Sequence, residues 1–252
     1  MKLQSIAPIL ALSALSANAA ITIQSTGNSG ATQVYATTHF TGISVTAGDI
    51  LVIVHAPNKR TTTNTITATF GSGSNTFSSV NSGDSGGQAA GWVFFSNITE
   101  TGSFDINLDT SNATKTVSHA TSYFVLRSDA IGGTLSVLDT DGNAGSSLTT
   151  LSLNNLSWSG SYNDYIALAG ASIQTNTITS PGGDWVEQLD RGPDKRIVFK
   201  NEGTIASPLA FTITSVSDNL AAAGIVIAET IPEPAAALLG SLGLLGLLRR
   251  RR

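Results

Sequence analysis

Cysteine is absent from the 252-residue chain, methionine occurs once, and charged residues make up only 12% of it. Without cysteine there is no disulfide staple, no thiol nucleophile and no Cys-based zinc site, so stability has to come from an ordinary apolar core. Cations are scarcer still. Setting aside Lys2 and Arg249 to Arg252 leaves eight of the 13 basic residues; setting aside Glu233 leaves 16 of the 17 acidic ones, a balance of about −8 for the body. Phosphate backbones repel such a surface, and no basic stripe offsets the repulsion, which argues against nucleic acid as a partner. Strong helix formers are few between the two ends, while Thr, Ser, Val and Ile recur throughout. That composition suits pleated strands.

What is present is a period of two. In TNTITATF the apolar set is Ile66, Ala68 and Phe70; in SFDINL it is Phe104, Ile106 and Leu108; in LAFTITSV it is Leu209, Phe211 and Ile213. Alternation over four to eight residues marks a half-buried strand. Four other runs are apolar on both faces: ILVIVHA (50–56), WVFFS (92–96), YIALAGA (165–171) and AAAGIVIA (221–228). These read as central strands of a sandwich, covered by the second sheet on one side and by loops on the other. Clusters such as STGNSG, GSGSN, NSGDSGG, DTDGNAGSS and SPGGD supply turn chemistry between them. The pattern predicts an all-β fold, a single β-sandwich or jelly roll over residues 20–229, about 210 residues and large enough to bury its own core.

Few residues in the body suggest chemistry. Gly83-Asp84-Ser85-Gly86-Gly87 resembles the nucleophile segment of chymotrypsin-like proteases, but His39 and His55 lie too close in sequence to Ser85 to leave room for two barrels. A glycine-rich hairpin loop explains the segment. Asp139, Asp141 and Asn143 alternate as calcium ligands do, but Ala144 stands where an EF-hand loop needs glycine and Thr150 where it needs a closing glutamate. A solvated turn accounts for them, with calcium as the alternative. The stretch GGDWVEQLDRGPDKR (182–196) is dense in charge, with Asp184, Glu187, Asp190 and Asp194 around Trp185. Paired carboxylates across a groove would suit a glycan hydrolase; a sugar-stacking platform of Trp185, Trp158 or Tyr162 is the better alternative, and core or rim packing the plain one. His39, His55 and His119 are scattered and lack metal-site spacing. No cofactor is expected.

The two ends differ from the body. MKLQSIAPILALSALSANAA has a basic start, an apolar stretch and an A-x-A site at Ala17 and Ala19, which reads as a signal peptide over residues 1–19, cut by signal peptidase. The last segment, 230–252, holds Pro232, Glu233 and Pro234, an uncharged stretch 235–248, and Arg249, Arg250, Arg251 and Arg252. Fourteen residues of helix rise about 21 Å against a bilayer core of about 30 Å, a short transmembrane helix whose arginines hold it at the cytoplasmic face. The prolines keep the preceding backbone extended and accessible.

Pro-Glu-Pro, an apolar helix and a terminal arginine cluster together resemble the PEP-CTERM sorting signal of exported Gram-negative proteins. The resemblance implies recognition by a membrane-embedded exosortase, cleavage near Pro-Glu-Pro and release to the surface, typically where exopolysaccharide is made. In GDILVIVHA (48–56), DTDGNAGSS (139–147) and the closing GIVIA (224–228) the body resembles uncharacterised jelly-roll-like sandwich domains of exported bacterial proteins, which bring no catalytic residues. The expectation is therefore a non-enzymatic surface or matrix protein, anchored transiently in the inner membrane with its body outside. The alternatives are a carbohydrate-binding module and a surface glycan hydrolase.

Overall fold

The computed structural model describes residues 20–29, 32–34, 37–57, 66–69, 76–82, 89–110, 116–130, 132–160, 162, 164–179, 181, 184–190, 196–202 and 207–231. Ala17, Ala19, Pro232, Glu233, Pro234 and Arg249 to Arg252 lie outside these residues, as do Phe70 and Ser85.

Among the described residues there is no helix. Fourteen strands follow in order: β1 (Ile21–Ser29), β2 (Thr32–Val34), β3 (Thr37–Val45), β4 (Ile50–Pro57), β5 (Ile66–Thr69), β6 (Ser78–Asn81), β7 (Trp92–Asn97), β8 (Gly102–Thr110), β9 (Thr116–Ser128), β10 (Thr134–Leu153), β11 (Asp164–Ile173), β12 (Val186–Asp190), β13 (Arg196–Glu202) and β14 (Phe211–Thr230). They form three antiparallel sheets. The central sheet runs β1-β9-β4-β7-β6, with β2 also on β9; an outer sheet runs β3-β8-β5; the C-terminal sheet runs β10-β14-β11-β13-β12. From β1 to β9 the chain passes back and forth between the central and outer sheets, with β1–β2 and β6–β7 consecutive in the central one, whereas β10 to β14 build their sheet alone.

Side-chain alternation explains the stacking. Along β4, Ile50, Val52 and Val54 face the C-terminal sheet and meet Ile166, Leu168, Ile225 and Ile227. The intervening Leu51 and Ile53 face the outer sheet and meet Ile43, Val45, Ile106 and Leu108. A strand with both faces covered must be apolar throughout, and β4 is buried at every position. Each fully buried Leu, Ile or Phe contributes about 1.5–3 kcal/mol relative to exposure. The central strands are thus covered by a third sheet where loops were expected, because the polar-faced β3 and β8 supply Ile43, Val45, Ile106 and Leu108 to that surface.

The central and C-terminal sheets pinch together at one end. A Cβ on Gly91 would lie 2.7 Å from Ala223 N and 2.9 Å from Ala222 C, and one on Gly142 would run into the Asn81 carbonyl. Within ALAGA and AAAG, Gly170 and Ala223 are the small residues turned toward the central sheet, and a Cβ on Gly170 would lie 2.6 Å from Val54 Cγ1. Ser172 Oγ reinforces the contact, accepting from Ala90 N at 2.9 Å and donating to Ala90 O at 2.7 Å.

Two predicted turns are strand. STGNSG lies largely in β1, and the Asp-Thr-Asp-Gly-Asn part of DTDGNAGSS lies inside β10. β10 is an edge strand, where polar side chains are tolerated on the open side. The bend comes just afterwards. Register shifts interrupt the β10–β14 ladder between Gly145 and Thr150, and Ser147 takes a φ of 55°. Beyond the bend both strands fold back over their own sheet: Asn143 Nδ2 donates to Ser152 O at 2.9 Å, and a Cβ on Gly224 would meet Leu153 Cδ1 at 2.9 Å.

Candidate functional site

The face of the C-terminal sheet turned away from the central sheet carries the aromatic residues singled out in sequence. The folded-back arm brings Leu151, Leu153, Phe211 and Ile213 onto Ala167, Ala169, Val226 and Ala228, and Leu156, Ile178, Trp185 and Leu209 close over them. Trp185 is only 6% exposed; its Nε1 donates to Ala210 O at 3.0 Å and its ring meets Phe211 edge-on at 5.0 Å. It packs the core and offers no open face to a sugar, so the packing reading applies to it. Trp158 and Tyr162 pack against the same core but remain partly exposed. The Trp158 ring lies 5.4 Å from that of Tyr165, and its backbone N donates to Ser207 Oγ at 2.9 Å. Tyr165 is buried, and burial first, then Asp164 and Asp184, pushes its phenol up to about 12. It stays neutral across the biological range. Asp184 is exposed and close enough to Tyr165 to act on its phenol, while Trp158 and Tyr162 lie at the edge of the same core.

The proposed calcium ligands are engaged otherwise. Asp139 accepts from Thr140 N and Ser157 N, both at 2.8 Å; Asp141 accepts from Gly142 N at 2.9 Å and Asn155 N at 3.1 Å. Asn143 is the donor to Ser152 O already described. These side chains tie the 154–158 segment to β10, and among the described residues no group of three metal-binding side chains occurs. Asp184, Glu187 and Asp190 are exposed on or beside edge strand β12.

Sequence reasoning missed three features. His55 and His119 lie on neighbouring strands, both buried, with ring centroids 5.3 Å apart; His55 Nδ1 is 2.7 Å from Thr121 Oγ1. Their separation in sequence hid this, and only the β4–β9 register reveals it. Asp49, 1% exposed, takes a two-point contact from Arg127, Nε to Oδ1 at 2.6 Å and Nη2 to Oδ2 at 2.8 Å, with Thr46 N also donating at 2.7 Å. The hydrogen bond to Asp49 holds Arg127 above its ordinary value. Asp218 Oδ2 accepts from Thr175 N, Thr175 Oγ1, Asn176 N and Asn176 Nδ2, and Oδ1 accepts from Asn219 N. Burial pushes its carboxyl up, but these bonds to the charged form outweigh it and hold the group below the usual range.

What the fold defines is an all-β protein of stacked antiparallel sheets. Comparison with protein-family models, curated proteins and solved structures finds no match.

Proposed function

We propose that this chain is a non-enzymatic exported protein of the cell surface or extracellular matrix, sorted at Pro232-Glu233-Pro234 by an exosortase and cleaved there. The observation that supports it most is the placement of the two ends of the described body. Ile21 pairs with Ser128, Thr230 pairs with Thr134, and Glu229 pairs with both Leu135 and Asp164. Ser128 Oγ donates to Glu229 and Ile21 N donates to Asp164 Oδ2 at 2.8 Å, so the first and last strands end at one corner. A body held at that corner presents both its leader and its tail to one membrane, as a protein secreted by its signal peptide and stopped by its last helix requires. Pro232 follows the last strand by two residues in sequence, a spacing that supports a sorting motif close to that corner. The repeated crossing of β1 to β9 between two sheets, with β1-β9-β4-β7 opposite β3-β8-β5, supports a jelly-roll reading for that part of the body.

Intact mass of the mature protein from a host with an active exosortase tests the sorting reading. A C-terminus near Pro-Glu-Pro is expected, and one still carrying Arg252 sinks it.

The partly exposed Trp158 and Tyr162 favour one second reading, a carbohydrate-binding module associated with exopolysaccharide. Glycan binding that disappears in Trp158→Ala, with the unfolding midpoint nearly unchanged, would promote it. Trp185→Ala is the wrong probe, because removing a core ring lowers stability whatever the ligand.

A further inference from the structure

Ala20 follows the A-x-A site directly. Its backbone N donates to Asp129 Oδ1 at 2.8 Å, and Asp129 N donates back to Ala20 O at 3.3 Å. Ile21 N donates to Asp164 Oδ2 at 2.8 Å. Glu229, fully buried, accepts from Ser128 Oγ through Oε1, while Oε2 has no hydrogen-bond partner among the described residues. Ser128 is the Cα partner of Ile21, and Asp164 is that of Glu229. Carboxylates from the end of β9, the start of β11 and the end of β14 therefore gather around the beginning of the body. A cluster of carboxyl groups favours a cation beside it. A neutral amide N–H does not supply one.

We propose that the α-ammonium of Ala20, freed by signal peptidase, is the cation this corner takes, and that it forms an ion pair with Asp129 that exists only in the cleaved protein. The inference rests on the signal-peptide reading. Hydrolysis breaks the Ala19–Ala20 C–N bond and adds water across it, leaving a carboxylate on Ala19 and an amino group on Ala20. That amino group, with an ordinary pKa of about 7.7–8.0, is largely protonated at pH 7. The 2.8 Å N···O contact then becomes a charge-assisted hydrogen bond, stronger than the neutral one it replaces. Asp129 is exposed, so the gain is modest and screened by salt.

The test is a four-way comparison of chains that all run to Arg252 and are purified in one detergent. Two begin at Ala20 and two carry Gly-Ser ahead of it, the starts being set by a site-specific protease; one of each pair carries Asp129→Asn. The extension is expected to lower Tm by about 1–4 °C beside Asp129 and to leave it unchanged beside Asn. Raising the salt to about 1 M should shrink the first difference. Equal loss in both backgrounds, or no loss in either, overturns the ion pair. N-terminal mass of the exported protein checks the signal-peptide reading separately: a start other than Ala20 overturns the proposal for the protein as exported, whatever the four chains show.

Discussion

The molecule covers its two outward-facing apolar surfaces in different ways. The central sheet is capped by another sheet, β3-β8-β5, and the C-terminal sheet by a folded-back arm and loops. A sheet brings its own hydrogen-bond ladder, so its backbone is satisfied wherever it packs. Loops bring unpaired N–H groups that need acceptors. On the loop-covered side several of those acceptors are acidic side chains: Asp139 for Ser157, Asp141 for Asn155, and Asp218 for Thr175 and Asn176. Asp139 and Asp141, which in sequence suggest calcium ligands, thus serve with Asp218 to hold irregular backbone against a core.

Equivalent truncations on the two sides separate the two kinds of cover most strongly. Phe94→Ala, beneath the outer sheet, should cost about 4–5 kcal/mol, and Phe211→Ala, beneath the loops, about 3 kcal/mol, because loops relax into a cavity more readily than a paired sheet. Urea unfolding measures both, and the reverse order would break the comparison. Next in size is Asp218→Ala, about 2–3 kcal/mol, since it strands several donors at once. Asp218 sits below its ordinary value in the folded protein. Its contribution is therefore present above the unfolded carboxylate value of about 3.9 and lost as pH falls through the folded value. The gap between wild type and Asp218→Ala should narrow on acidification from pH 7; a gap that holds constant down to the acid transition would show that its charge contributes nothing. The smallest effects test the pinch between sheets. Gly91→Ala meets backbone and should cost about 2 kcal/mol, whereas Gly170→Ala meets only the Val54 methyl, at 2.6 Å, and should cost under about 1 kcal/mol. Equal costs at the two glycines would mean that the pinch is not rigid.

Much of the fold was legible because strand alternation is local. Ile106 and Leu108 face inward as their spacing predicts, and all four doubly apolar runs lie in strands. Asp139 and Asp141 misled because Asp, Asn and Gly are shared by turns and edge strands; only pairing with β14 distinguishes the two. Trp185 could be read as platform or core, and its burial depended on an arm folding back from some 25 residues further along the chain, through Ala210 and Phe211. The His55–His119 contact left no local signal.

Composition and periodicity by themselves determined that the body is β-structured, that its core is apolar and free of disulfides, and which side of many strands faces inward. Those properties follow from side-chain volume, charge and the two-residue pleat, all of which are read along the chain. Which surface covers which, where the sheets close to backbone contact, and how the first and last strands come to share a corner were decided only by tertiary structure. They depend on pairings between residues a hundred or more positions apart, such as Ser128 with Glu229 and Ile21 with Asp164, that no local pattern encodes.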